Sequence, residues 1–309
     1  MNYRKIILMA AAIVWAVISV CAQTTEARKI GRQGYYAMMN GDYKTGIQLL
    51  TKAAEAGDDE AQKNLGVCYE KGKGVAADHN KAFYWFKKAA DQGNEQAQYG
   101  VAILYKDGRG VDKNLAKAFF WYKKSAQGGY IPAYNSLGLC YENGEGCEQN
   151  LENAVYCYRI SAEGGNPTAM CNLGYCYETG RGCEKDSEKA VDWYKKGADA
   201  GNSRAMCNLG YCYHKGQGCE QDYEKAVYWY RKSIEAGNSL AMSNLGYCYE
   251  KGHGCEQDLE KAVYWYKKGA EAGEPLAMRN LGNCYEKGQG CQQDLEKAAY
   301  WKKKAAESK

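Results

Sequence analysis

The chain repeats itself every 36 residues. Leu65-Gly66, Leu137-Gly138, Leu173-Gly174, Leu209-Gly210, Leu245-Gly246 and Leu281-Gly282 stand on one grid, Val101-Ala102 fills the remaining slot, and residues 58–309 make seven full periods. A period of this length marks a stack of supersecondary units. No unit buries its apolar face alone, and each covers that face with its neighbours. This constraint excludes most single-core architectures, because every unit must present the same two mating surfaces.

Each period carries two helical patterns, here called helix A and helix B. In residues 238–273, Ala241, Leu245 and Tyr249 recur at four-residue steps, which predicts one face of a helix from about Leu240 to Lys251. Gly252 and Gly254 end it, His253-Gly254-Cys255 forms the turn, and Asp258 is placed to cap the next helix. That second helix runs from about Leu259 to Ala272, with Ala262, Trp265, Tyr266 and Gly269 on its buried side and Gly273 at its end. Gly246 and its equivalents sit inside helix A, where glycine costs about 1 kcal/mol relative to alanine. Their recurrence predicts close helix–helix approach, with the helix B tryptophan as the bulky neighbour. Trp85, Trp121, Trp193, Trp229, Trp265 and Trp301 therefore read as repeated core rather than as a ligand cage. At the end of the chain Lys302 stands where earlier copies carry Tyr or Phe, and Lys303 and Lys304 follow, as a polar terminal cap requires.

The pattern Ala241…Leu245-Gly246…Tyr249…Gly252-x-Gly254-Cys255…Asp258…Lys261-Ala262…Trp265-Tyr266-Lys-Lys resembles the Sel-one-like repeat, the 36-residue cousin of the tetratricopeptide repeat. The resemblance covers residues 58–309. Residues 23–57, through Gly34, Gly41-Asp42-Tyr43, Leu50 and Ala53, resemble a single shorter tetratricopeptide-like helix pair. The family resemblance implies an all-α fold, an α/α-repeat solenoid wound as a right-handed superhelix with helix A on the concave side. It also implies an adaptor role in protein complexes. Some cysteine-rich bacterial members carry a β-lactamase or penicillin-binding label, which gives an alternative reading. The cysteine spacing here differs from theirs, and no Ser-x-x-Lys is present.

The first 22 residues stand outside the repeat. Arg4 and Lys5 precede an uncharged apolar run from Ile6 to Val20, and Val20-Cys21-Ala22 fits a small-residue cleavage pattern, so residues 1–22 read as a secretory signal peptide. The run is short for a spanning helix. The alternatives are an uncleaved anchor or a lipid on Cys21, where Val20 departs from the usual small residue. The implied location is the periplasm or the exterior. Cleavage removes two basic groups and no acid, lowering the net charge from +4 to about +2 with no basic stripe, so nucleic acid is a poor partner. The mature chain is expected to be a monomer with no membrane span.

Fourteen of the fifteen cysteines lie beyond the leader, and ten form five pairs of one spacing: Cys140/Cys147, Cys176/Cys183, Cys212/Cys219, Cys248/Cys255 and Cys284/Cys291. One copy has Leu104 and Val111 in these slots and so lacks both; only Cys68, facing Val75, breaks the rule. Zinc needs about four ligands, and the histidines, His79, His214 and His253, fall at different repeat positions. Buried thiols are the competing reading, since Cys packs well as a small hydrophobe. An oxidising compartment favours disulfides, each closing a loop of about eight residues worth roughly 2.5 kcal/mol in the chain-entropy model. Cys68, Cys157, Cys171 and Cys207 have no assigned partner.

No catalytic constellation, metal site or cofactor motif is found, and the Gly-x-Gly turns follow helices rather than strands. The candidate site is polar repetition on helix A. Asn64, Asn172, Asn208, Asn244 and Asn280 precede the Leu-Gly pair, where an Asn row offers donors and acceptors to a peptide backbone. They match the groove asparagines of peptide-clamping tetratricopeptide domains, without a clear basic clamp; bridging between helices is the alternative. Tyr175, Tyr211 and Tyr247 occupy one neighbouring slot and enrich a contact surface. The other neighbouring slot holds Lys63, Tyr99, Asn135, Cys171, Cys207, Ser243 and Arg279, and its variation suggests partner-facing positions. The leading expectation is a non-catalytic scaffold that binds a peptide or protein on the concave helix A face. A structural envelope spacer is the further alternative.

Overall fold

Identical punctuation gives identical helices. The structure, a computed structural model, describes residues 24–308; the leader read in residues 1–22, with Cys21, lies outside them. The described residues form sixteen helices and no strand. After α1 (24–39) come α2 (Tyr43–Glu55), α3 (Asp59–Lys71), α4 (His79–Asp91), α5 (Glu95–Asp107), α6 (Leu115–Gln127) and α7 (Ile131–Asn143). They continue as α8 (Leu151–Glu163), α9 (Pro167–Thr179), α10 (Ser187–Asp199), α11 (Ser203–Lys215) and α12 (Tyr223–Glu235). The last four are α13 (Leu240–Lys251), α14 (Leu259–Glu271), α15 (Pro275–Lys287) and α16 (Leu295–Glu307). From α3 onward the odd-numbered helices are A and the even-numbered are B.

The expected caps are in place. The Asp258 carboxylate accepts the Lys261 N–H at 2.8 Å, and Asp78, Asn114, Asn150, Asp186, Asp222 and Asp294 cap the other B helices in the same way. Gly252 ends α13 in the left-handed region (φ 70°) and donates its N–H to the Cys248 carbonyl, which also accepts the His253 N–H at 2.9 Å. Two donors on one carbonyl give the glycine-terminated stop that satisfies a helix end. The loop closes when Asp258 N–H bonds the Tyr249 carbonyl at 2.9 Å.

The chain divides into two compact units, one up to Gln149 and one from Asn150. In the first, α2 to α7 pack each on the next, and α3 also touches α5. In the second, α8 to α16 do the same, and the A helices α9, α11, α13 and α15 form a contacting row. The core repeats accordingly: Ala205, Leu209, Ala226 and Tyr230, then Ala241, Leu245, Ala262 and Tyr266, are all buried.

The bulky neighbour of the helix A glycine is tyrosine, not the expected tryptophan. A Cβ on Gly246 would lie 2.7 Å from the Tyr266 ring, on Gly210 2.8 Å from Tyr230, and on Gly174 2.7 Å from Tyr194; Gly66 faces Phe86 in the same way. Adjacent helical residues point about 100° apart, so only one of the two neighbouring aromatics faces the partner helix. The Trp121 ring meets the Lys87 ammonium of α4 at 5.3 Å, and Trp85, Trp229, Trp265 and Trp301 pack at the margins of the apolar clusters. Trp121 is buried, whereas Trp85, Trp193, Trp229, Trp265 and Trp301 are half-buried. In α16 the Lys302 stem covers Gly282 and its amine reaches Glu286 at 2.8 Å.

Neighbouring repeats interlock through the second glycine of six of the seven Gly-x-Gly turns; in the first turn Gly74 lies against the Tyr43 and Ile47 side chains instead. A Cβ on Gly254 would stand 2.1 Å from the Tyr223 carbonyl oxygen at the start of the preceding helix B. Gly110, Gly146, Gly182, Gly218 and Gly290 meet the carbonyls of His79, Leu115, Leu151, Ser187 and Leu259 at 2.0–2.2 Å by the same measure. No side chain fits between these main chains.

Candidate functional site

The asparagine row ties helix A to helix A. Asn208 Nδ2 donates to Cys171 Sγ at 3.8 Å, Asn244 Nδ2 to Cys207 Sγ at 3.5 Å, and Asn280 Nδ2 to Ser243 Oγ at 3.4 Å. Asn172 is buried; its Oδ1 accepts from the Arg204 guanidinium, whose Nε donates to Cys171 Sγ at 3.3 Å. These contacts are inter-helix bridges. They also correct the reading of the variable slot: Cys171, Cys207 and Ser243 are buried, because the next A helix covers them. Lys63, Tyr99 and Asn135 are half-buried, and Arg279 is exposed. Asn64 lies in the first unit, in a groove of about 690 Å³ lined by Arg28, Arg32, Tyr35, Tyr36 and Lys63.

Tyr175, Tyr211 and Tyr247 stand on α9, α11 and α13 at 40%, 41% and 38% exposure. The Lys215 ammonium lies 5.8 Å from the Tyr211 ring centre, and the Lys251 ammonium 5.7 Å from that of Tyr247. The row thus presents ring area, hydroxyls and flanking cations to one side of the second unit. Such a surface suits a chain with aromatic or carboxylate groups. Tyr247 also meets His214 and His253 edge-on, with centroids at 5.8 and 5.9 Å. Burial, then the charges of Lys215 and His253, lowers the pKa of His214 below its ordinary value.

A second aromatic series escaped the sequence reading. Tyr84 and Phe120 in the first unit, and Tyr156, Tyr228, Tyr264 and Tyr300 in the second, are exposed on the B helices. The signal was present as an aromatic one residue before the tryptophan slot, interrupted only by Asp192. A lysine four residues on covers several of these rings, as Lys88 does Tyr84 at 4.8 Å and Lys304 does Tyr300 at 5.0 Å.

The paired cysteines converge on the turn. Cys140, Cys176, Cys212, Cys248 and Cys284 are buried late in helix A, and Cys147, Cys183, Cys219, Cys255 and Cys291 are half-buried beyond the glycines. Cys147 Sγ lies 3.6 Å from the Cys140 carbonyl oxygen, and Cys255 and Cys291 pack against the apolar cluster that holds Cys248 and Cys284. No disulfide joins the described cysteines; the fold supplies proximity. Burial pushes the thiols of Cys212 and Cys248 up to about 12 and that of Cys284 to about 11, which makes them poor nucleophiles. Among the unassigned cysteines, Cys68, Cys157, Cys171 and Cys207 are all buried.

Among the described residues no helix is long and apolar enough to cross a membrane, and no group of three or more His, Cys, Asp or Glu is placed to hold a metal ion. The Sel1 repeat model matches residues 31–58, 59–94, 95–130, 131–166, 167–202, 203–238, 239–274 and 275–309. The chain belongs to the Sel1 repeat family. The first match, 31–58, overlaps most of the segment 23–57 read as tetratricopeptide-like, and the Sel1 series has eight members. A Sel1 repeat protein of Oxalobacter formigenes is similar at 34% identity, over 79% of this chain and 96% of that one, with a TM-score of 0.74. A protective antigen present in uropathogenic Escherichia coli strains, which displays the same fold, is similar at 33% identity over 93% of this chain, with a TM-score of 0.78; this chain spans 62% of its length. No curated protein matches the chain. Sel1 repeat proteins are generally protein-interaction scaffolds, typically without enzymatic activity.

Proposed function

We propose that this Sel1 repeat protein is an exported, non-catalytic scaffold that holds a peptide or protein partner on the helix A face of its second unit. The observation that carries the reading is the register of Tyr175, Tyr211 and Tyr247, exposed on successive A helices with Lys215 and Lys251 beside two of them. Large amphipathic rings on rigid helices dominate protein contacts at little entropic cost. Asn172, Asn208, Asn244 and Asn280 set the spacing of the A helices, with any remaining hydrogen-bonding capacity turned to the partner backbone. Export is supported by the leader pattern of residues 1–22 and by the similarity to a protein described as a protective antigen. In the oxidised protein the five cysteine pairs are disulfides that staple α7, α9, α11, α13 and α15 to their turns.

The test is in-cell crosslinking and mass-spectrometric capture with a Tyr211→Ala/Tyr247→Ala variant. Loss of two ring contacts, each worth about 1–2 kcal/mol at an interface hot spot, lowers capture of the partner roughly tenfold or more. The thermal midpoint stays near that of the parent chain, because both rings stand outside the core. Capture that is unchanged removes the helix A face from the function. Asn208→Ala/Asn244→Ala lowers the midpoint as well, since both residues bridge helices. A spacer would yield no specific partner, and a β-lactamase would hydrolyse a chromogenic β-lactam.

The staples have their own readout. The mature protein isolated without reductant has an intact mass lower by two hydrogens per bond than after reduction, and its turn cysteines resist alkylation until reduced. Complete alkylation of all the cysteines of the unreduced, unfolded chain would overturn the pairing.

A further inference from the structure

Only three histidines occur in the chain, and two of them meet. His214 Nε2 lies 3.1 Å from His253 Nδ1. The residues come from different repeats and from non-equivalent slots, one late in α11 and one on the turn after α13. Both backbones are held. The His214 carbonyl accepts from Gln221 Nε2 at 2.9 Å. His253 sits between Gly252 and Gly254, its N–H bonded to the Cys248 carbonyl and the following glycine seated on the Tyr223 carbonyl. The rings are held as well: Tyr223 stacks on His253 at 4.3 Å and 17°, and meets His214 edge-on at 5.2 Å.

The repeat supplies a comparison inside the molecule. Four periods earlier the same two slots hold Glu70 and Arg109, an ion pair at 3.5 Å that bridges neighbouring repeats. At the other junction two imidazoles replace opposite charges. The two rings share a hydrogen bond, one facing nitrogen donating and the other accepting, and a change of tautomer in the donor ring moves its proton to the far nitrogen and leaves a lone pair on each facing nitrogen. Nitrogens that bind one ion at about 2.0–2.1 Å stand roughly 2.9–3.4 Å apart, and the observed separation falls within that span.

The geometry points to a two-histidine site for a divalent ion of the zinc class, formed by His214 and His253 across the junction of two repeats. Imidazole suits zinc, copper and nickel, and water or a donor from a bound partner completes the coordination. The rings are placed to turn their nitrogens from each other toward a shared ion by small side-chain rotations, while Tyr223 keeps its stacking contact. The nearby cations set the scale. Lys215 follows His214 directly and opposes the ion, whereas the Lys251 amine is engaged by Glu250 at 2.7 Å. Affinity is therefore well below that of a four-ligand structural zinc site. Because Tyr247 touches both imidazoles, occupancy is felt at the helix A face.

The experiment is a Zn(II) titration of the full chain, read by the ring resonances of histidine-labelled protein. These signals report imidazole ligation even where cysteines also take up metal. The His214 and His253 signals are expected to move together on one saturation curve while His79 stays in place. In His214→Gln and His253→Gln the remaining ring binds at least about tenfold more weakly, since loss of a ligand outweighs the 10–100-fold effect of losing its orienting neighbour. Thermal melts of the metal-free variants establish that they fold, and His253→Gln, on a half-buried turn, serves if His214→Gln does not. His214 and His253 signals that stay unmoved while zinc goes to thiols would overturn the site. So would a remaining ring that titrates with parental affinity in the folded variants.

Discussion

Gly218→Ala is expected to destabilise the second unit by about 4 kcal/mol, at the exceptional end of single substitutions, and to lower its thermal midpoint by roughly 10 °C. Two effects add. The residue lies at φ 74°, where a Cβ costs about 1–2 kcal/mol. The new Cβ would also stand 2.0 Å from the Ser187 carbonyl oxygen, so the two repeats must part. In a linear array the interface between neighbours carries much of the stability, and a gap there separates the repeats on either side. Gly237→Ala is the matched control, with φ 88° and nothing within 4 Å of the added carbon, and it retains only the conformational cost of about 1–2 kcal/mol. Calorimetry on both variants decides the matter. Equal losses would mean that the turn does not interlock with the repeat before it.

Tyr230→Ala is expected to cost about 3–5 kcal/mol, the range for truncating a buried aromatic, and to cost more than Trp229→Ala despite the greater size of tryptophan. The order follows from placement. Tyr230 is 1% exposed and lies on Gly210, which has no side chain to collapse into the cavity. Trp229 is half-buried at the margin of the apolar cluster formed by Ala190, Tyr194 and Leu209, where solvent replaces part of it. Urea unfolding followed by helicity and by hydrogen exchange on α11 and α12 measures both. A larger loss for Trp229→Ala would return the tryptophan to the centre of the repeat. Gly210→Ala probes the same contact from the other side, and the Tyr230 ring must shift to admit it.

Helix limits and caps were legible to within a residue or two, because they depend on local signals such as Asp258 and Gly252 that repeat along the chain. The choice between Trp265 and Tyr266 was not. Adjacent residues both satisfy a helical period within a short window, and a rotation of one residue decides which faces α13. The burial of Cys171, Cys207 and Ser243 was hidden for a related reason. Variation among copies marks positions free of the intra-repeat core, and these include both partner-facing slots and slots covered by the next A helix. The His214–His253 contact joins positions 39 residues apart rather than 36, because the turn of one repeat reaches back onto the A helix before it. A grid that aligns equivalent slots places the two residues in different columns.

The seating of Gly254 on the Tyr223 carbonyl has a consequence for how such a chain changes length. The mating surfaces at this point are a peptide carbonyl and a hydrogen atom, and six successive turns from Gly110 to Gly290 use them whatever their side chains. A duplicated block of 36 residues therefore arrives with its fasteners already matched on both sides. Side-chain complementarity must be relearned after each insertion; this contact need not be. Copies are then free to diverge at their outward positions as soon as they arise, and the array lengthens by gene duplication without first redesigning a joint.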